Sequence, residues 1–306
     1  YPASGIQQIN ELTEQINNDR FNANLFHERG KLYLKRNNID QALTDLKVAI
    51  KIDGFQAPFY YTLATIHFAN GNAYKSKEAL EKCISLNPEH IDALLRIAEL
   101  YLYFGQHEKL RGYINRALKV DKHNAKVYFI NGMSFLEMGD TTRAIYNFQT
   151  TVEKDPNHYQ SYIQLGLLFY GRKNRLAIDY LNNALNIDPK SIEAHYAKAM
   201  FYQQNDETTT AINTYAIILE IDPNYAFAHY NLGYIHYEYL NEYDLALKYF
   251  NNAIQSDSTY AEAYYMRGLC YETLGNNTKA VVNYKTTLKL KENYDLAIRG
   301  LNRILD

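Results

Sequence analysis

The stretch that decides the fold is residues 159–191, which read YQSYIQLGLLFYGRKNRLAIDYLNNALNIDPKS. Its small, aromatic and proline positions return at a nearly fixed interval along the chain. Four of the six prolines show this interval most simply, because Pro88, Pro156, Pro189 and Pro223 are separated by 68, 33 and 34 residues. A fixed period of this length predicts an array of structural repeats.

Eight units follow one another, and each is within one residue of 34 in length. They begin at Ala23, Ala57, Ile91, Ala125, Tyr159, Ile192, Ala226 and Ala261. Position 8 is always small: Gly30, Ala64, Ala98, Gly132, Gly166, Ala199, Gly233 and Gly268. Position 24 is always large and apolar: Leu46, Leu80, Ile114, Phe148, Leu181, Tyr215, Phe250 and Tyr284. With position 20 mostly alanine, these columns predict two closely packed antiparallel helices per unit, with position 24 filling the gap to the next pair.

The spacing inside a unit is helical throughout, as apolar residues recur at intervals of three and four. Glycines stand where the first helix of a unit must end, as expected of helix C-caps: Gly71, Gly105, Gly139 and Gly275. The prolines end the second helix and start a turn. We therefore predict an all-α chain of helical hairpins, about 80% helical, with no β-strand.

One family shares this pattern. The run Tyr162-x2-Leu165-Gly166-x2-Phe169, continued by Ala177-x3-Leu181-x2-Ala184-x4-Pro189, resembles the tetratricopeptide repeat family, although the Trp of its position 4 is replaced throughout. The resemblance implies an α-solenoid, a right-handed superhelix of antiparallel hairpins. It implies an N-terminal capping helix in residues 1–22, eight repeats in 23–293 and a C-terminal capping helix in 294–306, hence 18 helices. The first capping helix is predicted over 6–18.

Composition excludes several classes of function. The chain has 32 Lys and Arg against 34 Asp and Glu, a net charge of −2, which argues against a nucleic-acid or anionic-membrane binder. No run of 18 apolar residues predicts a transmembrane segment. Cys83 and Cys270 stand far apart without a metal-binding spacing. We expect no nucleic-acid partner and no transmembrane segment in this chain.

The sequence carries no recognisable catalytic motif, and we predict no catalytic residue, no metal site, no cofactor and no enzyme activity. The histidines invite a metal hypothesis because His229 and His236 lie seven residues apart and His195 is equivalent to His229. In the resembled family these positions hold aromatic side chains packed between helices. A packing role is therefore favoured over a metal site.

The resemblance also implies a concave groove, lined by the first helix of each hairpin, in which family members hold peptides or partner proteins. In this chain the groove positions are apolar and rich in tyrosine: Tyr61, Phe68, Leu95, Phe129, Met133, Tyr170, Tyr196, Met200, Phe227, Tyr230, Tyr234, Tyr237 and Tyr265. Tyrosines are typical of interaction hot spots. The competing interpretation is that they pack against one another and stiffen the array.

We therefore predict a non-catalytic protein–protein interaction scaffold that binds an apolar or aromatic-bearing peptide or partner protein. Two alternatives remain open: a substrate-docking or regulatory arm of a larger enzyme, and a glycan binder that stacks on tyrosine. Charge refines the prediction, because Glu238, Glu262 and Glu272 accompany the tyrosines while the first unit offers Lys31 and Lys35. A ligand's Lys or Arg is expected near the tyrosines.

Two features of the sequence bear on the cellular location of the protein: its composition, and its first residue, which is Tyr1 and not Met. The richness in Asn, Lys, Tyr and Ile resembles that of anchored periplasmic tetratricopeptide lipoproteins of Bacteroidetes that have lost their leader. We expect a periplasmic or membrane-anchored bacterial lipoprotein, with a cytoplasmic adaptor as the alternative. Partner identity and oligomeric state are left open.

Overall fold

A computed structural model describes residues 2–305, with side chains from residue 5 onward, so that Tyr1 and Asp306 lie outside the described residues. The described range contains 18 helices and no strand, and 79% of the chain is helical. The predicted all-α fold class is confirmed. The helices are α1 (Pro2–Asn18), α2 (Ala23–Lys35), α3 (Ile39–Ile52), α4 (Ala57–Ala69), α5 (Ala73–Leu86), α6 (Ile91–Tyr103), α7 (His107–Val120), α8 (Ala125–Glu137), α9 (Thr141–Lys154), α10 (Tyr159–Gly171), α11 (Leu176–Ile187), α12 (Ile192–Gln204), α13 (Thr208–Ile221), α14 (Ala226–Glu238), α15 (Tyr243–Ser256), α16 (Ala261–Thr273), α17 (Asn277–Leu290) and α18 (Asp295–Leu305).

The chain forms two compact units, residues 1–156 and 157–306. In the first unit, α1 packs on α2 and is followed by four hairpins, from α2 with α3 to α8 with α9. In the second unit, four hairpins, from α10 with α11 to α16 with α17, are followed by α18, which packs on α17. Each unit is a stack of antiparallel helix pairs whose core lies between the helices.

The eight predicted starting residues are each the first residue of a helix, from Ala23 of α2 to Ala261 of α16. Side chains in the preceding turn fix several of these starts. The Ser191 hydroxyl accepts a hydrogen bond from the Ala194 backbone N–H at 3.0 Å, as expected of an N-cap. The main difference concerns α1, which begins four residues before the predicted Ile6, at Pro2, a residue suited to a first helical turn.

The small residue at position 8 accommodates the large residue at position 24 of the same hairpin. A Cβ added to Gly132 would lie 2.8 Å from a Phe148 ring carbon. The prediction that position 24 fills the gap to the next helix pair is therefore incomplete. Tyr284 does both, since its ring closely approaches Gly268 of its own hairpin and Gly300 of α18. The glycines are required here by close approach of a ring and not by backbone conformation.

Polar side chains link the two helices of some hairpins at a constant spacing of 16 residues. Arg29 donates to both carboxylate oxygens of Asp45, at 2.8 and 2.7 Å, and to the Thr13 hydroxyl of α1 at 3.0 Å. Asp45 is only 3% exposed, so the bidentate pair satisfies a buried charge. Arg267 in α16 likewise donates to Asn283 in α17 at 2.8 Å.

The turns inside the hairpins require left-handed backbone. The predicted cap glycines adopt it, with φ between 65° and 76°. Four other hairpins place a residue with a side chain in this conformation: Asn37, Lys173, Asp206 and Asn241, with φ between 53° and 60°. Asn and Asp tolerate the left-handed region. Lys173 does not share this tolerance and is the strained member of the set.

We predict that Lys173→Gly stabilises the second unit by about 0.5–1 kcal/mol, because glycine removes the Cβ clash and this gain outweighs its greater freedom in the unfolded chain. The matched control is Asp206→Gly, at the same place in the next hairpin, for which the change should be close to zero. Urea unfolding followed by circular dichroism measures both. A loss of stability in Lys173→Gly would show that the turn is not strained.

Candidate functional site

Two adjoining cavities lie beside the first helices of successive hairpins in the second unit, α10, α12 and α14. The first has a volume of about 370 Å³ and is lined by Leu167, Tyr170, Glu193, Tyr196, Ala197, Met200 and Tyr225. The second measures about 340 Å³ and is lined by Tyr170, Met200, Gln203, Gln204, Tyr230, Asn231, Tyr234 and Tyr239. We call the surface formed by these residues the tyrosine groove; the two cavities share Tyr170 and Met200.

Helical spacing brings these side chains to one face. On α12, Tyr196 and Met200 are four residues apart, and on α14, Tyr230 and Tyr234 have the same spacing. Residues four apart are neighbours on a helix surface. The helix α12 therefore presents a tyrosine and a methionine to the groove, and α14 presents two tyrosines.

The groove tyrosines are held by a second set of tyrosines in the turns. Each pair joins a tyrosine on the first helix of a hairpin to a tyrosine just before the next hairpin or α18. The ring centroids lie 5.9 Å apart in Tyr196–Tyr225, 5.0 Å in Tyr230–Tyr260 and 5.2 Å in Tyr265–Tyr294. These distances are typical of favourable aromatic contacts. Tyr196 and Tyr230 of the groove are therefore packed against neighbouring rings of the protein itself.

The tyrosine hydroxyls of the groove are polar but uncharged, as their hydrogen bonds and burial show. The Asn231 side-chain amide donates to the Tyr196 hydroxyl at 3.0 Å and to the Phe227 carbonyl at 2.9 Å. Burial raises the pKa of the Tyr196 and Tyr230 hydroxyls above the ordinary tyrosine value. Both rings are consequently neutral at physiological pH.

Among the described lining residues, Glu193 is the one acidic or basic side chain. It is solvent-exposed, and its Oε2 lies 3.5 Å from the Tyr159 hydroxyl. No described Lys or Arg lines either cavity. The groove thus combines apolar ring faces with a single carboxylate.

Comparison with known proteins identifies the repeat. Family models of the tetratricopeptide repeat match residues 57–90, 127–158 and 235–284. The chain contains tetratricopeptide repeats. This fold is in general that of a non-catalytic protein–protein interaction scaffold, which binds proteins or peptides.

The tetratricopeptide chain is similar to proteins of distant organisms. It is 22% identical to the mitochondrial import receptor subunit TOM70 of Homo sapiens over 86% of its own length and 45% of that protein. It is 24% identical to a TPR repeat-containing protein of Methanocaldococcus jannaschii over 86% of its length and 43% of the relative. The chain therefore spans less than half of each of these two relatives.

A solved tetratricopeptide structure supports the fold. The C-terminal part of a TPR repeat-containing protein from Cytophaga hutchinsonii superposes with a TM-score of 0.67 at 20% identity, covering 79% of this chain and 99% of that one. At this identity the likeness concerns the fold alone. It confirms the predicted α-solenoid class.

The thirteen residues predicted for the groove fall into three groups. Tyr170, Tyr196, Met200, Tyr230 and Tyr234 line the tyrosine groove together. The remaining residues of the second unit lie outside the two cavities, and those of the first unit form no part of this groove.

Burial separates the remaining predicted residues. Leu95 and Tyr265 are only 2% and 9% exposed, so they have little surface to offer a ligand. Phe227 is 49% exposed beside the groove, and the Tyr237 hydroxyl hydrogen bonds with Thr273 at 3.0 Å. In the first unit, Tyr61, Phe129 and Met133 are half-buried and Phe68 is exposed.

Phe68 lines a separate cavity of about 260 Å³ in the first tetratricopeptide unit. The Arg96 guanidinium lies over the Phe68 ring, 4.7 Å from its centroid, and forms an ion pair with Glu99 at 3.1 Å. Lys126 also contacts Glu99, at 2.7 Å. This cavity is lined by a cation of the protein itself, Arg96, in contrast to the tyrosine groove.

The charges predicted to distinguish the two ends of the groove are largely paired inside the protein. Glu262 binds Lys291 at 3.1 Å, and Glu272 binds Arg303 at 2.8 Å. In the first unit, Lys31 binds Glu28 at 3.0 Å. These residues consequently offer a ligand less charge than the sequence suggested.

Two of the histidines considered as metal ligands, His195 and His229, are buried and bound to backbone carbonyl groups. His195 and His229 contact the carbonyl oxygens of Pro189 and Pro223 through Nε2, at 3.1 and 2.9 Å. Among the described residues no group of three metal-ligating side chains comes together.

Both cysteines, Cys83 and Cys270, are fully buried. Burial raises the pKa of Cys83 to about 11 and that of Cys270 to about 12, so both thiols are protonated at neutral pH. No described helix has the length and apolar character needed to span a membrane.

Sequence reasoning missed several residues of the groove, including Tyr225, Asn231 and Glu193. Tyr225 could have been found, because Tyr225, Tyr260 and Tyr294 recur at 35 and 34 residues, at the end of successive repeats. Glu193 has no such signal, since its place in the cavity depends on the neighbouring hairpins.

Proposed function

We propose that this chain is a non-catalytic scaffold whose tyrosine groove binds a peptide segment of a partner protein. The observation that carries the proposal is the pair of adjoining cavities, each of a few hundred Å³, walled by tyrosine rings and Met200. Pockets of this size and composition are typical of binding sites. Each cavity can take one large side chain of a bound segment, and the second cavity, which has no carboxylate in its lining, suits an apolar or aromatic one.

The rigidity of the rings supports binding. A surface that is already ordered loses less conformational entropy when a ligand binds. Tyr225 and Tyr260, from the turns, pack against Tyr196 and Tyr230, and Met200 is an adaptable apolar contact. We propose Tyr170, Tyr196, Met200, Tyr230 and Tyr234 as the binding residues.

The proposed organisation of the chain follows the repeats. We propose that the eight tetratricopeptide repeats occupy residues 23–293 and that residues 1–22 and 294–306 contribute flanking helices. The coincidence of the eight predicted starting residues with helix starts supports this division.

A direct test uses the absence of Trp from the chain. Twelve-residue peptides selected by display against the full chain are synthesised with one Trp, whose fluorescence anisotropy reports binding without background from the protein. Binding that is equally tight in a Tyr170→Ala/Tyr234→Ala double variant would place the peptide elsewhere and contradict the proposal.

Single substitutions separate binding from packing. We predict that Tyr234→Ala weakens peptide binding by more than about 1 kcal/mol, a hot-spot effect, with the unfolding midpoint almost unchanged. Tyr265→Ala is the matched control, because Tyr265 is buried between Tyr284 and Tyr294. It should lower the unfolding midpoint and have no direct effect on affinity. If Tyr234→Ala behaves like Tyr265→Ala, the groove tyrosines only stiffen the array.

A further inference from the structure

The first cavity of the tyrosine groove is lined by aromatic rings, a thioether and a carboxylate. Tyr170, Tyr196 and Tyr225 supply aromatic surface, Met200 supplies a polarisable thioether, and Glu193 supplies a carboxylate. Tyr196 and Tyr225 meet nearly perpendicular to each other, at an interplanar angle of 71°. The faces of aromatic rings carry a partial negative charge, so both a ring face and the Glu193 carboxylate can attract a cation.

Glu193 has no cationic partner among the described residues, whereas some other carboxylates of the second unit do. Glu207 binds Arg175 at 2.7 Å, Glu262 binds Lys291 and Glu272 binds Arg303. For Glu193 the described contact is with the neutral Tyr159 hydroxyl. The carboxylate that lines the cavity is therefore not neutralised by a neighbouring described cation and is available to a ligand.

We propose that this cavity binds a basic side chain, Lys or Arg, of the partner peptide, with the alkyl stem against the tyrosine rings and the cation near Glu193. The inference rests on the proposed function and names the chemistry of one ligand side chain. The protein makes a similar contact internally, since Lys291 lies over the Tyr294 ring at 5.3 Å and pairs with Glu262 at 3.1 Å. A cation over an aromatic face next to a carboxylate gains from both groups.

Glu193 has a competing structural role, because it lies in the first turn of α12. A carboxylate there stabilises a helix through the helix dipole. Asp92 lies at the same position in α6 of the first unit and is also exposed. Asp92→Asn is therefore the matched control for Glu193→Gln. Both substitutions remove a first-turn carboxylate, but only Glu193→Gln changes the cavity.

The experiment uses the full chain with ¹³C-labelled methionine methyl groups. The chain has four methionines, of which Met200 lines the cavity and Met138 is an exposed reference. The probes are N-acetyl-arginine amide and N-acetyl-lysine amide, with the uncharged N-acetyl-citrulline amide and N-acetyl-norleucine amide as counterparts. Arginine and citrulline amides have nearly the same shape, so their difference reports the charge.

We expect the cationic probes to shift the Met200 methyl signal with millimolar affinity, at least about fivefold more tightly than the neutral probes. Glu193→Gln should reduce this preference by about fivefold, while Asp92→Asn leaves it unchanged. Equal affinity for arginine and citrulline amides would overturn the inference. So would an unmoved Met200 signal with both cationic probes at concentrations up to about 50 mM, where such weak binding is detectable.

The inference and the proposed function can fail separately. If Trp-bearing peptides bind the groove but replacing each of their basic residues with an uncharged isostere has no effect, only the cation preference is wrong. If the same peptides bind the Tyr170→Ala/Tyr234→Ala double variant with unchanged affinity, the groove itself is wrong.

Discussion

Deletion of residues 294–306 is expected to destabilise the second unit by about 3–5 kcal/mol, because it removes the helix that covers the last hairpin. The Tyr284 ring is fully buried, and α18 approaches it so closely that a Cβ added to Gly300 would lie 2.6 Å from a ring carbon. The deletion also removes Tyr294 from the Tyr265 ring. Large apolar surface of α16 and α17 would then face water.

The deletion is measured by urea unfolding and by thermal melting followed at 222 nm. A shorter deletion of residues 305 and 306 is the matched control, since Leu305 is 65% exposed, and it should change little. Arg303→Gln tests the ion pair with Glu272 alone and should cost less than about 1 kcal/mol, because the pair is exposed on the Arg303 side. An unchanged midpoint after the full deletion would show that α18 does not protect the hairpin.

The sequence predicted the helical framework well because that framework depends on local chemistry. Glycine in a left-handed turn and a small residue opposite a large one are local requirements. Gly71 and Gly275 do adopt positive φ, as the C-cap prediction requires. The positive φ of Lys173 could not be predicted in this way, because lysine has no preference for left-handed backbone.

The candidate site was only partly predictable, because exposure depends on neighbours distant in sequence. Leu95 and Tyr196 occupy the same repeat position, yet Leu95 is buried while Tyr196 lines a cavity. The ion pair of Arg303 with Glu272 joins residues 31 apart and removes a charge that the sequence assigned to a ligand. Repeat position therefore predicts which face a residue occupies but not how much of it solvent or a ligand can reach.

Substitution of Gly233 by alanine is expected to destabilise the second unit by about 1–3 kcal/mol, although alanine favours helix by about 1 kcal/mol over glycine. The added Cβ would lie 2.7 Å from a ring carbon of Phe250, which is fully buried. Neither the ring nor the helix can retreat without loss of packing elsewhere. The steric cost of overpacking therefore exceeds the gain in helix propensity.

Two further variants test the expected effect of Gly233→Ala, and the free energy of unfolding in urea is measured for each. Gly112 lies in the middle of α7, and a Cβ there would meet nothing within 4 Å, so Gly112→Ala should stabilise its own unit by about 0.5–1 kcal/mol. Adding Phe250→Leu to Gly233→Ala recreates the alanine–leucine pairing of Ala64 with Leu80 and should recover part of the loss. If Gly233→Ala were as stabilising as Gly112→Ala, helix propensity alone would govern position 8. The opposite signs expected for these two glycines instead follow from whether a ring lies against the helix at that position.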